Sequence, residues 1–392
     1  MRTIFLLGLT SLLTDISSEM VYPLIPFFLT ATLGAGPAAL GLIEGIAEST
    51  ASILKLLSGM ASDRLRRKKV FTILGYGTST VGKGVLYLAG GWGMVFTGRL
   101  LDRIGKGIRT APRDALIAES ARPGEGGKAF GLHRAMDTIG AALGVILAWW
   151  FLTMKPGDYA AVILWSVVPA VLGVVLLFFV TEPRQHTTVR KPVTLASWRT
   201  LPPALKRFLV VALLFTFGNS SNTFLLLRAA DFGYSPATII LLYLVYNLAY
   251  AGLSYPAGRW SDRIGRRWVV AAGYLLYAVV YAGFAFAGEA GKDWIPWALF
   301  TVYGLYSAAT DGVEKALIAE LAPSDLRASA IGLHAMIIGI GLFPASLLAG
   351  ILWSAAGPAA ALGLGACTGV LAAVLLLSWA LRRSSGTTRS VV

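Results

Sequence analysis

Asp15, Ser18, Glu19 and Tyr22 stand at i, i+3, i+4 and i+7 within the apolar run that opens the chain. On a helix turning about 100° per residue, that spacing draws one polar stripe along an apolar rod. The chemistry it offers is proton carriage. A carboxylate in a low-dielectric medium costs several kcal/mol unless it faces water or a cation, so such groups are functional candidates by default. A second stripe follows in Glu44, Glu48 and Lys55. Glu48 and Lys55 are expected to neutralise each other, and Glu44, nearer the outer end, to lie on a solvated face. Lys83, Asp102, Arg103, Lys106, Arg109 and Arg113 add further charge, with Asp102 and Arg103 well inside their apolar run. A carboxylate beside a guanidinium keeps its charge and takes up a proton when that cation withdraws, which ties protonation to movement. Asp15, Glu19, Glu48 and Asp102 are the candidate proton carriers, with Arg103 tuning Asp15 and Glu19.

Uncharged groups dominate farther along. Asn219, Ser220, Ser221 and Asn222 form one cluster, Tyr243, Asn247 and Tyr250 a stripe, and Tyr303, Tyr306, Thr310 and Glu314 another. With Tyr22, these residues suit an organic ligand held by ring stacking and a few hydrogen bonds. Two other cargoes fit subsets of the same residues. Asp15, Glu19, Asn219 and Asn222 could offer hard oxygen donors to a divalent metal, and Lys55, Lys83, Arg109 and Arg113 could attract an organic anion.

Such residues need apolar elements to carry them. The 392-residue chain is 56% hydrophobic and only 14% charged, where a soluble domain approaches a quarter charged. Apolar runs long enough to cross a bilayer, about 20 residues each, fall at 4–32, 38–60, 70–90, 92–118, 129–152 and 160–181, and again at 207–228, 237–258, 268–288, 295–320, 325–353 and 356–381. Every amide in lipid needs an internal partner, so the class is an all-α integral membrane protein of twelve transmembrane helices. Residues 1–181 and 207–392 are expected to form two six-helix bundles, joined by a polar, proline-bearing linker at 182–206.

The net charge of +14 gathers in alternate connections. Arg64, Arg66, Arg67, Lys68 and Lys69 follow the second run, and Arg259, Arg263, Arg266 and Arg267 follow the eighth, while the opposite loops hold little beyond Lys155, Asp158, Asp231, Lys292 and Asp293. The positive-inside rule then puts both termini and the linker in the cytoplasm, and the basic excess reports topology rather than nucleic-acid binding. The opening run lacks a cleavage site and reads as the first span. The single cysteine, Cys367, excludes an intrachain disulfide and any cysteine-based metal site. No Walker motif, nucleophile elbow or zinc spacing is present, so the chain is expected to be neither an ATPase nor another enzyme, and to need no cofactor.

The chain is also duplicated. Ala115-Leu116-Ile117-Ala118-Glu119 and Gly131-Leu132-His133 return as Ala316 to Glu320 and Gly332-Leu333-His334, and Gly59-x-x-x-Asp63-Arg64-x-Arg66-Arg67 returns as Gly258-x-x-x-Asp262-Arg263-x-Gly265-Arg266-Arg267. His133 and His334 match through the duplication, which explains their equivalence without a shared metal. The paired loop motif resembles the first signature of the major facilitator superfamily, and Arg103-x-x-Lys106-Gly107 resembles its Arg-x-x-Gln-Gly signature. Arg66 departs from the glycine usual there, and Gly140-Ala-Ala-Leu-Gly144 lacks the Gly-Pro step typical of drug exporters. The resemblance implies two pseudo-symmetric bundles working by alternating access in a bacterial or archaeal cytoplasmic membrane. Gly59, Asp63, Arg64, Arg67, Gly258, Asp262, Arg263 and Arg266 would form the cytoplasmic gate. The expected function is a monomeric, proton-coupled transporter of a small organic solute, drug-like or metabolite, with export preferred to uptake. The other readings are a divalent metal exporter of iron or nickel type, an organic anion transporter, and a membrane scaffold or sensor that does not transport.

Overall fold

The computed structural model describes residues 2–65, 67–121, 126–182, 201–287, 294–323 and 326–387. Twelve helical rods run through these residues. The first six are α1 (Arg2–Val21), α2 (Pro37–Leu65), α3 (Lys68–Tyr87), α4 (Trp92–Ser120), α5 (Gly126–Met154) and α6 (Tyr159–Phe178). The second six are α7 (Pro203–Gly218), α8 (Pro236–Ile264), α9 (Arg266–Phe286), α10 (Ile295–Leu321), α11 (Arg327–Ala356) and α12 (Pro358–Thr387). The linker expected at 182–206 lies outside the described residues over 183–200. α7 starts at Pro203 rather than at residue 207, since proline is readily taken into a first turn where its missing amide has no partner to lose.

Eight rods are long and apolar enough to cross a membrane on their own composition. The other four, α2, α3, α4 and α10, carry the charged stripes and rely on neighbouring helices to cover them. Large apolar side chains such as Trp165, Leu172 and Phe178 on α6 stay exposed, as a lipid-facing surface requires.

The chain divides into two compact units, Met1–Arg190 with Tyr234–Leu244, and Lys191–Gly233 with Val245–Val392. The opening turns of α8 thus cluster with the first unit. Within the first unit α3 packs on α4, α1 on α5 and α6, and α3 on α6. Within the second, α9 packs on α10, α7 on α11 and α12, and α9 on α12. The duplicated sequence repeats its helix pairings. In the first unit Ile4, Leu7, Tyr76, Leu116, Ile117 and Leu177 from α1, α3, α4 and α6 make a shared core.

Small residues set the closest approaches. A Cβ on Gly82 would fall 2.7 Å from the Gly98 carbonyl oxygen, and one on Gly98 would fall 2.8 Å from the Gly82 oxygen. The α3–α4 seam is therefore backbone against backbone, the contact that dispersion favours between helices in lipid. Gly82→Val is expected to lower stability by about 1–3 kcal/mol through forced separation of the two helices. Thermal unfolding of the purified variant in detergent reads this directly, and an unchanged melting temperature would mean that the seam yields.

Two backbone interruptions position polar groups. Pro23 and Pro26 lack amide donors, and beyond Val21 the first rod tightens to a 3₁₀ turn over Tyr22–Leu24 before widening to a π turn over Phe28–Thr32. The seventh rod stops at Gly218 and resumes over Thr223–Asp231. Its freed backbone groups find partners on neighbouring helices. The Tyr277 hydroxyl donates to the Gly218 carbonyl at 2.7 Å, and the Ser221 amide donates to Ser346 Oγ at 3.1 Å. Irregular backbone at membrane depth requires such compensation.

Candidate functional site

The first unit holds a buried charge network between α2 and α4. Glu44 and Glu48 lie one turn apart on α2, and Arg99, Asp102 and Arg103 line the facing stripe of α4. Arg99 Nε and Nη2 donate to the two oxygens of Glu44 at 2.8 Å each, a forked pair with both residues buried. Arg99 Nη1 also reaches Asp102 Oδ2 at 3.4 Å. Arg103 Nε lies 2.9 Å from Glu48 Oε1, and the Arg99 and Arg103 guanidiniums stand 5.3 and 5.9 Å from the Tyr22 ring centroid. Guanidinium over an aromatic face is a favourable cation–π arrangement.

One sequence expectation changes here. Glu44 is not on a solvated face; it is wholly buried, because Arg99 supplies both charge and matching donors. Glu48 has Arg103, across the α2–α4 contact, as an ion-pair partner. Arg99 is the residue that the sequence reading overlooks. Its signal was the i, i+3, i+4 spacing with Asp102 and Arg103, which complements the i, i+4 spacing of Glu44 and Glu48.

Asp15 and Glu19 lie apart from that forked pair. Asp15 is within electrostatic reach of Asp137, Glu19, Arg109 and Arg113, so Arg109 and Arg113, rather than Arg103, are its principal cations. Asp137, on α5, is a carboxylate the sequence reading did not single out; its Oδ2 lies 3.5 Å from His133 Nδ1. Glu19 feels Lys106, Arg103 and Arg99 and accepts from the Tyr243 hydroxyl, while its Oε2 is buried without a hydrogen-bond partner among the described residues. Lys83 Nζ donates to Ser18 Oγ at 3.2 Å, and Arg113 to Ser11 Oγ at 3.2 Å. Arg109 donates to Ser79 and stands over the Tyr76 ring.

The second unit holds a cavity of about 260 Å³. The ring residues Phe215, Tyr246, Tyr250, Tyr274 and Tyr306 line it, together with Asn219, Thr310, Asp311 and Glu314. Phe215 and Tyr274 stack at 4.0 Å, and Tyr246 and Tyr250 lie nearly parallel at 6.4 Å. The interruption after Gly218 brings Asn219 to this wall, where its amide reaches the Tyr306 hydroxyl at 3.5 Å. Tyr250 and Lys315 bind opposite oxygens of Asp311. His334 Nε2 lies 3.2 Å from Glu314 Oε2, with both side chains buried.

Among the expected ligand residues, the structure gathers Asn219, Tyr250, Tyr306, Thr310 and Glu314 at the cavity and places the others elsewhere. Asn222 and Tyr303 satisfy each other, with the Tyr303 hydroxyl donating to Asn222 Oδ1 at 2.6 Å. Tyr243 packs on Tyr22 with ring centroids 5.7 Å apart, both in the first unit. Asn247 is half-buried away from the lining. Ring residues on one helix diverge from a common face when some of them have to cap neighbouring polar groups. Of the residues considered for a metal, Asp15 and Glu19 belong to the first unit, while Asn219 and Asn222 belong to the second.

The repeated loop motif ends α2 and α8. Asp262 Oδ1 accepts from Arg266 at 3.0 Å, and Arg266 also donates to Glu320 at 2.9 Å. Gly265 holds φ near 99° between α8 and α9, a conformation that suits a residue without Cβ. Gly59 Cα faces Ala111, where a Cβ would stand 3.1 Å away, whereas a Cβ on Gly258 would meet open space. Arg64 is exposed in the last turn of α2, and Arg67 precedes α3. Arg263 closes α8 and is exposed. The Asp63 side chain and Arg66 lie outside the described residues. Arg266 is half-buried and its two partners are exposed, so Arg266→Ala is expected to change stability by about 1 kcal/mol or less. Chemical unfolding of that variant tests whether the triad is a fastening or a switchable contact.

Comparison with known proteins gives this geometry its context. The family model of the Major Facilitator Superfamily matches residues 7–228 and 208–391. An uncharacterised MFS-type transporter of Methanocaldococcus jannaschii is 40% identical over 360 residues, covering 90% of this chain and 88% of the relative. The multidrug resistance protein MdtH of Salmonella newport is 23% identical, covering 86% and 83%. Among solved structures, the nucleoside transporter NupG superposes with a TM-score of 0.77 at 15% identity, covering 96% of this chain and 99% of that one. The POT family transporter PepTSo superposes with a TM-score of 0.78 at 13% identity, covering 98% of each chain.

Proposed function

The chain belongs to the major facilitator superfamily, and from that premise we propose that it is a proton-coupled secondary transporter of a small organic solute, working in the cytoplasmic membrane as a monomer with both termini inside. The observation that carries this reading is the division of chemistry between the units. One buries carboxylates among guanidiniums along α2 and α4, and the other holds a cavity lined mainly by aromatic and polar side chains, with no lysine or arginine among the described lining residues. Charged groups in lipid are costly to keep and are retained where they do something. A pocket of rings with a few polar groups is the usual receptor for an organic molecule.

In the proposed cycle, residues 1–181 and 207–392 act as the two moving halves. Asp15 and Glu19 take the proton, and the carboxylate pair formed by Asp15 and Asp137 shares it, so protonation relieves a like-charge contact that Arg109 and Arg113 balance. Glu48, Asp102 and Arg103 respond through the α2–α4 network. Asp63, Asp262 and the adjoining arginines form the gate, whose contacts break and re-form as access alternates. Export is the favoured direction in this reading, which a relative named for multidrug resistance at 23% identity supports only by analogy.

Ligand-induced thermal stabilisation of the purified full chain tests the cargo. Transition metals, organic cations and organic anions are presented separately. Stabilisation by an organic panel supports the reading, and a response confined to the metals overturns it in favour of a metal exporter. Absence of any response, together with absence of proton movement in vesicles, would point instead to a scaffold or sensor.

A further inference from the structure

Positions that line the second-unit cavity differ in charge from their duplicated counterparts in the first half of the sequence. Counting back from the shared Ala-Leu-Ile-Ala-Glu phrase, Glu314 occupies the position of Arg113, Asp311 that of Thr110 and Tyr306 that of Gly105. The second copy has exchanged a cation for an anion and a glycine for a ring. Around the resulting cavity no lining residue among the described residues is lysine or arginine, while two are carboxylates.

The two carboxylates are not equivalent. Asp311 is held on one oxygen by the permanent cation Lys315, at 2.7 Å, and on the other by the Tyr250 hydroxyl. Glu314 has His334 as its ion-pair partner, at 3.2 Å, and an imidazole is a cation only when protonated. Asp311 thus has both oxygens taken, whereas Glu314 meets no lysine or arginine within ion-pair distance among the described residues. The Tyr274 hydroxyl, buried on the same cavity wall, stands within electrostatic reach of Glu314. Tyr246, Tyr250, Tyr306, Tyr274 and Phe215 line the cavity beside it. Ring faces attract cations through their quadrupole, and a desolvated aromatic cage is the recurring receptor for quaternary ammonium groups. An organic anion would have to approach Glu314 with no lysine or arginine among the described lining residues to attract it.

Resting on the reading that this cavity receives an organic solute, we propose that the solute is a small organic cation, a quaternary or protonated amine of about choline size, with Glu314 as its counter-charge and the tyrosine rings as its cage.

The test compares choline with 3,3-dimethylbutan-1-ol, its neutral isostere, and with benzoate, using the full chain in lipid nanodiscs and calorimetric or thermal-shift titration. Choline is expected to bind, the isostere and benzoate to bind at least about tenfold more weakly, and Glu314→Gln to weaken choline by about tenfold. Because Glu314→Gln could disturb packing, Glu314→Asp is measured beside it and is expected to retain most of the affinity. The comparison of choline with its isostere on the unaltered chain needs no variant. Equal binding of the isostere or of benzoate would overturn the cation assignment while leaving the cavity as an organic-solute site. Failure of all three probes would also overturn it; stabilisation by a neutral nucleoside or sugar would then show that the broader reading survives, and silence across every organic probe would remove both.

Discussion

Arg99→Met is expected to destabilise the protein by about 3–5 kcal/mol, because it strands the Glu44 carboxylate in the interior without charge or donors. Glu44 is wholly buried, and its two oxygens take the fork of Arg99 at 2.8 Å each. The loss does not stop there. Arg99 also stands 3.4 Å from Asp102 and 3.9 Å from Glu48, so three acids share the cation that is removed. The paired variant Glu44→Leu with Arg99→Met removes charge and counter-charge together and is expected to recover much of the loss, since apolar replacement of an entire buried pair is often close to neutral. Unfolding of the two variants in detergent, followed by near-UV circular dichroism, separates the cases. Equal stability of single variant, double variant and parent would mean that the site is wetter than its burial indicates.

The second large effect falls on activity rather than stability. Asp15→Asn is expected to abolish accumulation of solute against a gradient under an imposed pH difference, while solute binding changes by less than about tenfold, or 1.4 kcal/mol. The amide keeps the shape and hydrogen-bonding reach of the carboxylate but can neither carry a proton nor repel Asp137. Glu19→Gln removes the other carboxylate of the α1 stripe and retains the hydrogen bond to Tyr243 through its carbonyl. Its expected effect is a loss of coupling of the same kind. Proton-driven uptake into everted vesicles, set beside equilibrium binding of the same solute, distinguishes uncoupling from a lost site. Normal coupling in both variants would take the α1 stripe out of the mechanism.

The sequence was informative about whatever repeats along one helix. Asp15, Glu19 and Tyr22 share a stripe, Tyr306, Thr310 and Glu314 share another, and both follow from helical period alone. The duplication at Ala115–Glu119 and Ala316–Glu320 carried the twelve-rod plan and the matching helix pairings. What period cannot reveal is which neighbour a stripe meets. Glu44 looked solvated because its partner, Arg99, is on a different helix, and the pairing of Glu48 with Arg103 across the α2–α4 contact was invisible for the same reason. Asp137 escaped notice because a lone acid on α5 acquires meaning only once Asp15 faces it. The stop after Gly218 was hidden for another reason. Asn219 and Ser220 to Asn222 read as ligand groups, yet the same short polar side chains compete with helical hydrogen bonds, and a glycine before them completes the break.

Tyr243 and Asn247 illustrate the limit on single-helix stripes. Tyr246, between them in the chain, lines the cavity, whereas Tyr243 packs on Tyr22. One helix can serve two environments along its length, and α8 does so at the boundary between Leu244 and Val245.

The most direct measurement is simultaneous recording of solute and proton movement in liposomes containing the purified chain and an internal pH indicator. With an organic solute that stabilises the protein, the account predicts that imposing a solute gradient moves protons in the wild type and that Asp15→Asn binds the same solute without moving them. Solute crossing at full rate with no pH change in the wild type would contradict proton coupling outright.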